Sequence, residues 1–334
     1  MIFIALALAA LALCRRCHAE LFRGQLHLHT NLSDADGSPD TAAAWYSRLG
    51  FDFIFFSDHA AYHDPRKTVK DPPEGLLMLG AKEFTFICKN RLDRSVPFDI
   101  NALGINADIA APKTDGSFSA AAEKCVGAIL EAGGIPMLNH PNFRFAYSFE
   151  EIGGLKMPYL LEVINMHSMV PNEGSAAYPS HERIWDTLLS MGRTVYGTAT
   201  DDTHFYDSFL RRKRNSPGMG WILAEADDLD ERSVLDSLRR GKFFASTGIK
   251  PEAFYRDGGD IALRAADNGN AMRIEFSGAH GRLLASFDGP SAVYRIKGDE
   301  MYVRAKVYDT DERVLLTQPV FLDGRDPVIG LPEV

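Results

Sequence analysis

Between Phe22 and about Thr247 one pattern recurs along the chain: a run of helical period, a glycine, then a short apolar run. Residues 38–49 read as a helix stopped by Gly50, with a strand over 51–56 after it. A second helix over 119–132 is followed by Gly133-Gly134 and a strand over 135–138. A third, over 180–191, stops at Gly192 before a strand over 194–198, and a fourth, over 230–240, stops at Gly241 before Lys242-Phe243-Phe244. Glycine just past the last helical turn takes the left-handed conformation that a Cβ disfavours, so these stops have a physical cause. Alternation of helix and strand predicts parallel strands covered by helices, in a barrel or an open wound sheet.

Beyond Thr247 the period shortens. Alternating runs over 272–276, 283–287, 292–296, 301–308 and 314–321 are separated by turn signals such as Ser277-Gly278 and Asp288-Gly289. This reads as a small antiparallel β-domain over 249–334, behind a larger α/β domain over 20–248. Residues 1–13 are apolar, and Cys17-His18-Ala19 ends that stretch on a small residue. The expectation is a signal peptide over 1–19, export to a periplasmic or extracellular location, and no stable membrane span after its removal. Of the four cysteines, Cys88 and Cys125 lie beyond that segment and read as buried thiols in separate elements.

Composition narrows the function classes. The 334 residues are 46% hydrophobic and 24% charged, as in an ordinary globular protein, and the net charge of -9 argues against broad nucleic-acid binding. An acidic total does not exclude a pocket holding divalent cations, which would dominate its local charge.

The chemistry gathers at the ends of the expected strands. His27 and His29 stand two apart in Gln25-Leu26-His27-Leu28-His29-Thr30, a spacing that puts both imidazoles on one face of a strand. Asp34 follows in the turn Ser33-Asp34-Ala35-Asp36-Gly37. The strand over 51–56 leads to Ser57-Asp58-His59, the stretch 77–85 carries Glu83, and the strand over 135–138 delivers Asn139-His140-Pro141. Asp202 and His204 repeat the two-residue spacing in Thr200-Asp201-Asp202-Thr203-His204. Carboxyl ends of strands are where parallel α/β folds build their sites. Five of the ten histidines occur there, which points to a metal site rather than to scattered structural histidines.

This set of motifs, in this order over about residues 23–247, resembles the polymerase and histidinol phosphatase (PHP) family of metal-dependent phosphoesterases. The resemblance implies a distorted (β/α)7 barrel followed here by the β-domain, and two or three divalent ions, zinc, manganese or iron. It implies that His27, His29, Glu83 and Asp202 hold the first ion. Glu83 would bridge to a second, shared with His140, and Asp34, His59 and His204 would hold the third. One position departs from the family pattern: in Phe98-Asp99-Ile100-Asn101-Ala102-Leu103-Gly104, Asp99 stands where the second ion often has a histidine. Asp99 is therefore expected either as a harder ligand to that ion or as a turn residue beside an empty position. Leu161-Glu162-Val163-Ile164-Asn165, Gly220-Trp221-Ile222, residues 241–248 and Thr317-Gln318-Pro319-Val320-Phe321 are similar to the carbaryl hydrolase-like branch of the family.

The implied activity is hydrolysis of a small anionic ester, a phosphate mono- or diester, by hydroxide generated at the ions. Asp202, His204 and His167 are the candidate catalytic residues, with His167 a proton donor to the leaving group or a substrate contact. Arg144 and Asn165 are candidate substrate contacts, and Arg211-Arg212-Lys213-Arg214 is either an anion grip or a solvated loop. Two alternatives stand: the same site acting on a carbamate, ester or amide, and a non-catalytic protein that keeps the metals. The oligomeric state is left open.

Overall fold

In β2 (Phe53–Phe56) every side chain is buried. Phe53 and Phe55 join one hydrophobic cluster while Ile54 and Phe56 join another, which is why the run is unbroken rather than alternating with polar residues. Strands β1 (Glu20–Gln25) and β3 (Leu77–Lys89) flank it, both parallel to it. Next across the sheet come β4 (Ser95–Leu103), β5 (Ile135–Leu138), β6 (Tyr159–Asn165) and β7 (Val195–Thr200). This computed structural model describes residues 20–90, 92–146, 149–155, 158–206, 216–325 and 327–329, the side chains of 149 and 150 excepted. The expected signal segment 1–19 and the basic run Arg211-Arg212-Lys213-Arg214 lie outside the described residues.

The four helices expected from the periodicity are α1 (Pro39–Arg48), α3 (Phe118–Glu131), α5 (His181–Ser190) and α6 (Glu231–Arg239), with short helices α2 (Pro65–Thr68) and α4 (Phe149–Gly153) between them. Ser38, Ser117, Ser180 and Asp230 cap the long ones, each side chain accepting from an amide in the first turn. Gly50, Gly133, Gly192 and Gly241 all take positive φ at the other ends. Helices α3, α5 and α6 pack into the first cluster, and α1 into the second.

Two expectations are corrected. The strands are not all parallel: β4 runs antiparallel to both β3 and β5. β3 and β4 are joined by a tight turn, where Asn90 Oδ1 accepts from the amides of Leu92 and Arg94, and so short a connection can only reverse the chain. Nor do the strands close into a barrel. The outer edge of β1 is taken by β8 (Trp221–Ala226), which pairs antiparallel along residues 20–24. The ring is joined only past the strand ends, where Asp202 N donates to His27 O at 3.1 Å and His29 N to Thr203 O at 3.0 Å.

The free edge of β7 is covered by one side chain. Gln318 Oε1 accepts from Gly197 N at 2.9 Å and its Nε2 donates to Gly197 O at 2.8 Å. A primary amide offers the donor and acceptor of a peptide unit, so it substitutes for a neighbouring strand.

The expected boundary near Gly248 does not interrupt the sheet. β9 (Phe243–Ser246) pairs with β8 on one side and with β16 (Val314–Thr317) on the other. Through β16 the sheet continues to β15 (Tyr302–Asp309), β12 (Met272–Gly278) and β13 (Arg282–Asp288). A separate three-stranded sheet holds β10 (Pro251–Asp257), β11 (Asp260–Ala265) and β14 (Ser291–Arg295), while β17 (Val320–Phe321) pairs with β15. Buried charge fastens this part to α5. Arg304 grips Asp186 with two hydrogen bonds at 2.8 and 2.6 Å, reaches Glu182 at 2.8 Å, and Tyr302 OH donates to Asp186 at 2.9 Å. Cys88 and Cys125 are both buried and unpaired with each other. Among the described residues no helix is long and apolar enough to cross a membrane.

Truncating one partner of a buried ion pair leaves the other charge stranded, which costs about 3–5 kcal/mol. Asp186→Ala is therefore expected to lower the denaturant-unfolding free energy by that amount. Asp260→Ala, which removes the exposed pair with Arg295, is expected to leave it nearly unchanged.

Candidate metal centre

Because β1, β2, β3, β5, β6 and β7 run in one direction with β4 reversed, their carboxyl ends share one rim. His27 and His29 follow β1, His59 follows β2, His140 follows β5, and Asp202 and His204 follow β7. Glu83 comes from within β3, since that strand runs on past the rim into the hairpin, and His59 bridges to it.

Four ligand atoms converge. His27 Nε2 and His29 Nε2 are 3.1 Å apart, and each lies 3.3 Å from Glu83 Oε2. Asp202 Oδ1 lies 3.4 Å from the first nitrogen and 3.2 Å from the second. Ligands placed tetrahedrally at zinc-type bond lengths of about 2.0–2.1 Å are separated by roughly 3.3 Å. His27, His29 and Asp202 form one ligand-sized group with Glu83 against both imidazoles, and these spacings and donors suit a divalent ion.

Two further groups adjoin it. His140 Nε2 stands 3.7 Å from Glu83 Oε1 and 3.8 Å from Asp202 Oδ2, and His27, Glu83 and His140 form one ligand-sized cluster. Asp34 Oδ2 lies 3.4 Å from His204 Nε2 and 3.7 Å from His59 Nε2. His29 joins that group, since its buried Nδ1 has no hydrogen-bond partner and lies 3.6 Å from Asp34 Oδ1.

Electrostatics agrees with geometry. Burial opposes ionisation of Glu83 and Asp202, but the facing imidazoles outweigh it and hold both well below the usual carboxylate range. Burial likewise opposes charge on His140, yet Glu83, Asp202 and Asp99 push it up to about 9. The carboxylates demand a compensating positive charge, which a divalent cation supplies without any protonated histidine.

A second layer aims the ligands. Glu162, buried in β6, accepts from His27 Nδ1 at 2.7 Å, so the other nitrogen of that ring faces the cage. It also accepts from His140 N at 2.7 Å, Thr200 Oγ1 at 2.7 Å and Asn165 Nδ2 at 2.8 Å. Asn139 donates to Glu83 Oε1 at 2.6 Å. Asp58 accepts from Thr30 N, Thr30 Oγ1 and Ser33 Oγ, which fixes the loop carrying His29 and Asp34. Glu162 was not singled out as a site residue from sequence; its signal was a lone carboxylate inside an otherwise apolar strand.

The centre floors an open cavity of about 840 Å³ whose walls include Thr85, Pro97, Phe143, Met169 and Phe205. Arg144 stands on its rim with a left-handed backbone at φ 55°. His167 lines the cavity against His204, and burial pushes its ring down to about 4. Asn165, expected to touch substrate, is instead fully buried: its amide nitrogen donates to Glu162 and, at 3.3 Å, to Asp202, and its oxygen accepts from His167 N. Asp99 belongs to none of the three clusters. Its Oδ2 approaches His140 at Nδ1, at 4.0 Å, the nitrogen opposite the one facing Glu83. Burial first, and Glu83 second, push Asp99 up to about 6.

No protein-family model matches the chain, and no curated protein does. Among solved structures the chain is similar to a two-domain protein containing a predicted PHP-like metal-dependent phosphoesterase from Bacteroides vulgatus, with a TM-score of 0.45 and 14% identity over 90% of this chain and 95% of that one. It is also similar to a candidate metal-dependent phosphoesterase from Bifidobacterium adolescentis, with a TM-score of 0.36 and 16% identity over 54% of this chain and 87% of that one. Neither carries the name of the carbaryl hydrolase-like branch.

Outer-layer partners of metal ligands are worth about 10–100-fold in affinity, so Glu162→Ala is expected to weaken zinc binding by that factor in a competition titration with a chelator. Asp99→Ala is expected to bind as many ions as the wild type, measured by elemental analysis; a lost ion would place Asp99 among the ligands.

Proposed function

We propose that this chain is a metal-dependent hydrolase of a small phosphate mono- or diester. The observation that carries the reading is the group of His27, His29, Glu83 and Asp202, in which the two imidazole nitrogens stand 3.1 Å apart and each lies 3.2 to 3.4 Å from the carboxylates, spacings that suit a divalent ion, and which opens into a cavity large enough for a small molecule. In this proposal those four residues hold the first ion. Glu83 Oε1 and His140 offer a second position, and Asp34, His59 and His204 a third. Mixed imidazole and carboxylate donors suit zinc, manganese or iron. Bound ions supply Lewis acidity and make water a nucleophile near neutral pH.

The remaining work belongs to the chain. Glu83, with one oxygen toward His27 and His29 and the other toward His140, sets the spacing between neighbouring positions. Glu162 keeps His27 in the tautomer whose Nε2 lone pair faces inward. Arg144, the one arginine or lysine among the described residues lining the cavity, would pair with the anionic group of the ester. Its strained backbone fits a residue held for binding rather than for stability. Read as a signal peptide, segment 1–19 would put this activity outside the cytoplasm.

A second reading keeps the same centre and exchanges the ester. Phe143, Met169 and Phe205 on the cavity wall would suit an uncharged carbonyl ester or aryl carbamate, in line with the branch resemblance. A panel of one phosphate monoester, one phosphodiester and one aryl carbamate separates the two, with turnover of a phosphate ester expected and turnover of the carbamate alone overturning the first. His27→Ala and His140→Ala are expected to stay folded by circular dichroism and to lose on the order of 10³ in kcat. Retained activity in a folded, metal-poor His27→Ala protein would remove the metal centre from the mechanism.

A further inference from the structure

We propose that His167 binds the ester as a neutral imidazole, donating a hydrogen bond from Nε2–H to one of its oxygens, and transfers no proton. The inference rests on the phosphoesterase reading above and assigns this residue a role within it.

The loop that carries His167 is tied at its base and from within. Asn172 Oδ1 accepts from Asn165 N at 3.0 Å, and Asn172 Nδ2 donates to Asn165 O at 2.8 Å. Inside this clasp Asn165 Oδ1 accepts from His167 N at 2.8 Å, and Met169 N donates to His167 Nδ1 at 3.2 Å. A backbone amide can only donate, so Nδ1 must present a lone pair, which a protonated imidazole does not have. The loop therefore selects the neutral ring with its hydrogen on Nε2. Among the described residues nothing accepts from that nitrogen. The ring lines the cavity and meets His204 edge-on, with centroids 5.3 Å apart, which sets the donor beside the Asp34, His59 and His204 cluster.

Acting as a general acid from the protonated ring would require a proton on Nδ1 and would break the bond from Met169 N. As a fixed donor it needs no rearrangement, and a pre-positioned donor facing oxygens that gain charge is worth about 10²–10³ in rate. Asn165 links the two parts of the site, because the amide that touches Asp202 and Glu162 belongs to the residue that holds His167 N.

The test compares wild type, His167→Gln and His167→Leu, all zinc-loaded, on aryl phosphates of graded leaving-group acidity. Gln places an amide N–H close to where Nε2–H stood. His167→Leu is expected to lose about 10²–10³ in kcat/KM, by the same factor for good and poor leaving groups. His167→Gln is expected to recover most of it, with zinc content and thermal midpoint equal in all three. A Gln variant no better than Leu, or a loss confined to poor leaving groups, overturns the proposal. If the wild type hydrolyses no phosphate ester, the phosphoesterase reading fails, and two measurements still decide the role of His167. Heteronuclear NMR of histidine-labelled, zinc-loaded protein must find Nδ1 unprotonated, and inorganic phosphate must bind more weakly to His167→Leu than to His167→Gln. A hydrogen on Nδ1, or equal phosphate affinities, overturns it.

Discussion

One buried carboxylate holds the strand ends in register. Glu162 takes four hydrogen bonds, from the His27 ring after β1, the His140 amide after β5, Asn165 at the end of β6 and Thr200 at the end of β7. Burying an ionised group is costly unless all its lone pairs are met, and this arrangement meets them with groups from four different strands. The open ring relies on such cross-links because, among the described residues, the ends of β7 and β1 meet through backbone hydrogen bonds at Asp202 and His29. Both of those are candidate ligand residues, so the shape of the cage and the meeting of the two strands are one constraint.

The charges of the centre follow from the same economy of space. Two buried carboxylates, Glu83 and Asp202, share a cluster with His27, His29 and His140. No apolar packing would offset such a group of polar side chains, and without positive charge the carboxylates would repel each other at short range. The backbone bears strain at the same place: His140 and Asp202 both carry positive φ without being glycine. Such conformations persist where surrounding contacts over-determine them, as the Glu162 bond to His140 N and the His27 bond to Asp202 N do here.

Much of this was legible in the sequence, for identifiable reasons. Helix bounds could be read because serine and aspartate caps and glycine stops act locally. His59, His140, Asp202 and His204 could be read because each follows an apolar run whose end is marked. The direction of β4 could not, since alternation has the same period whichever way a strand runs, and only the tight turn at Asn90 reverses it. Alternation left a barrel and an open sheet both standing, and the pairing of β8 along β1 that decides between them depends on contacts distant in the chain. Asp99 was read by analogy with a histidine as either a ligand or a turn residue; its carboxylate comes within 4.0 Å of His140 Nδ1 and joins none of the three ligand-sized groups. Asn165 was expected to face substrate, but its amide is consumed by Glu162, Asp202 and the His167 loop.

The Gln318 side chain on the edge of β7 has a consequence of another kind. A sheet that ends in an uncovered strand invites a neighbouring chain to pair with it, the usual route to intermolecular assembly. Here a residue 121 positions further along the sequence occupies the Gly197 amide and carbonyl. A segment made well after β7 is thus the one that guards it, and until that segment arrives the nascent protein presents an adhesive border to its neighbours.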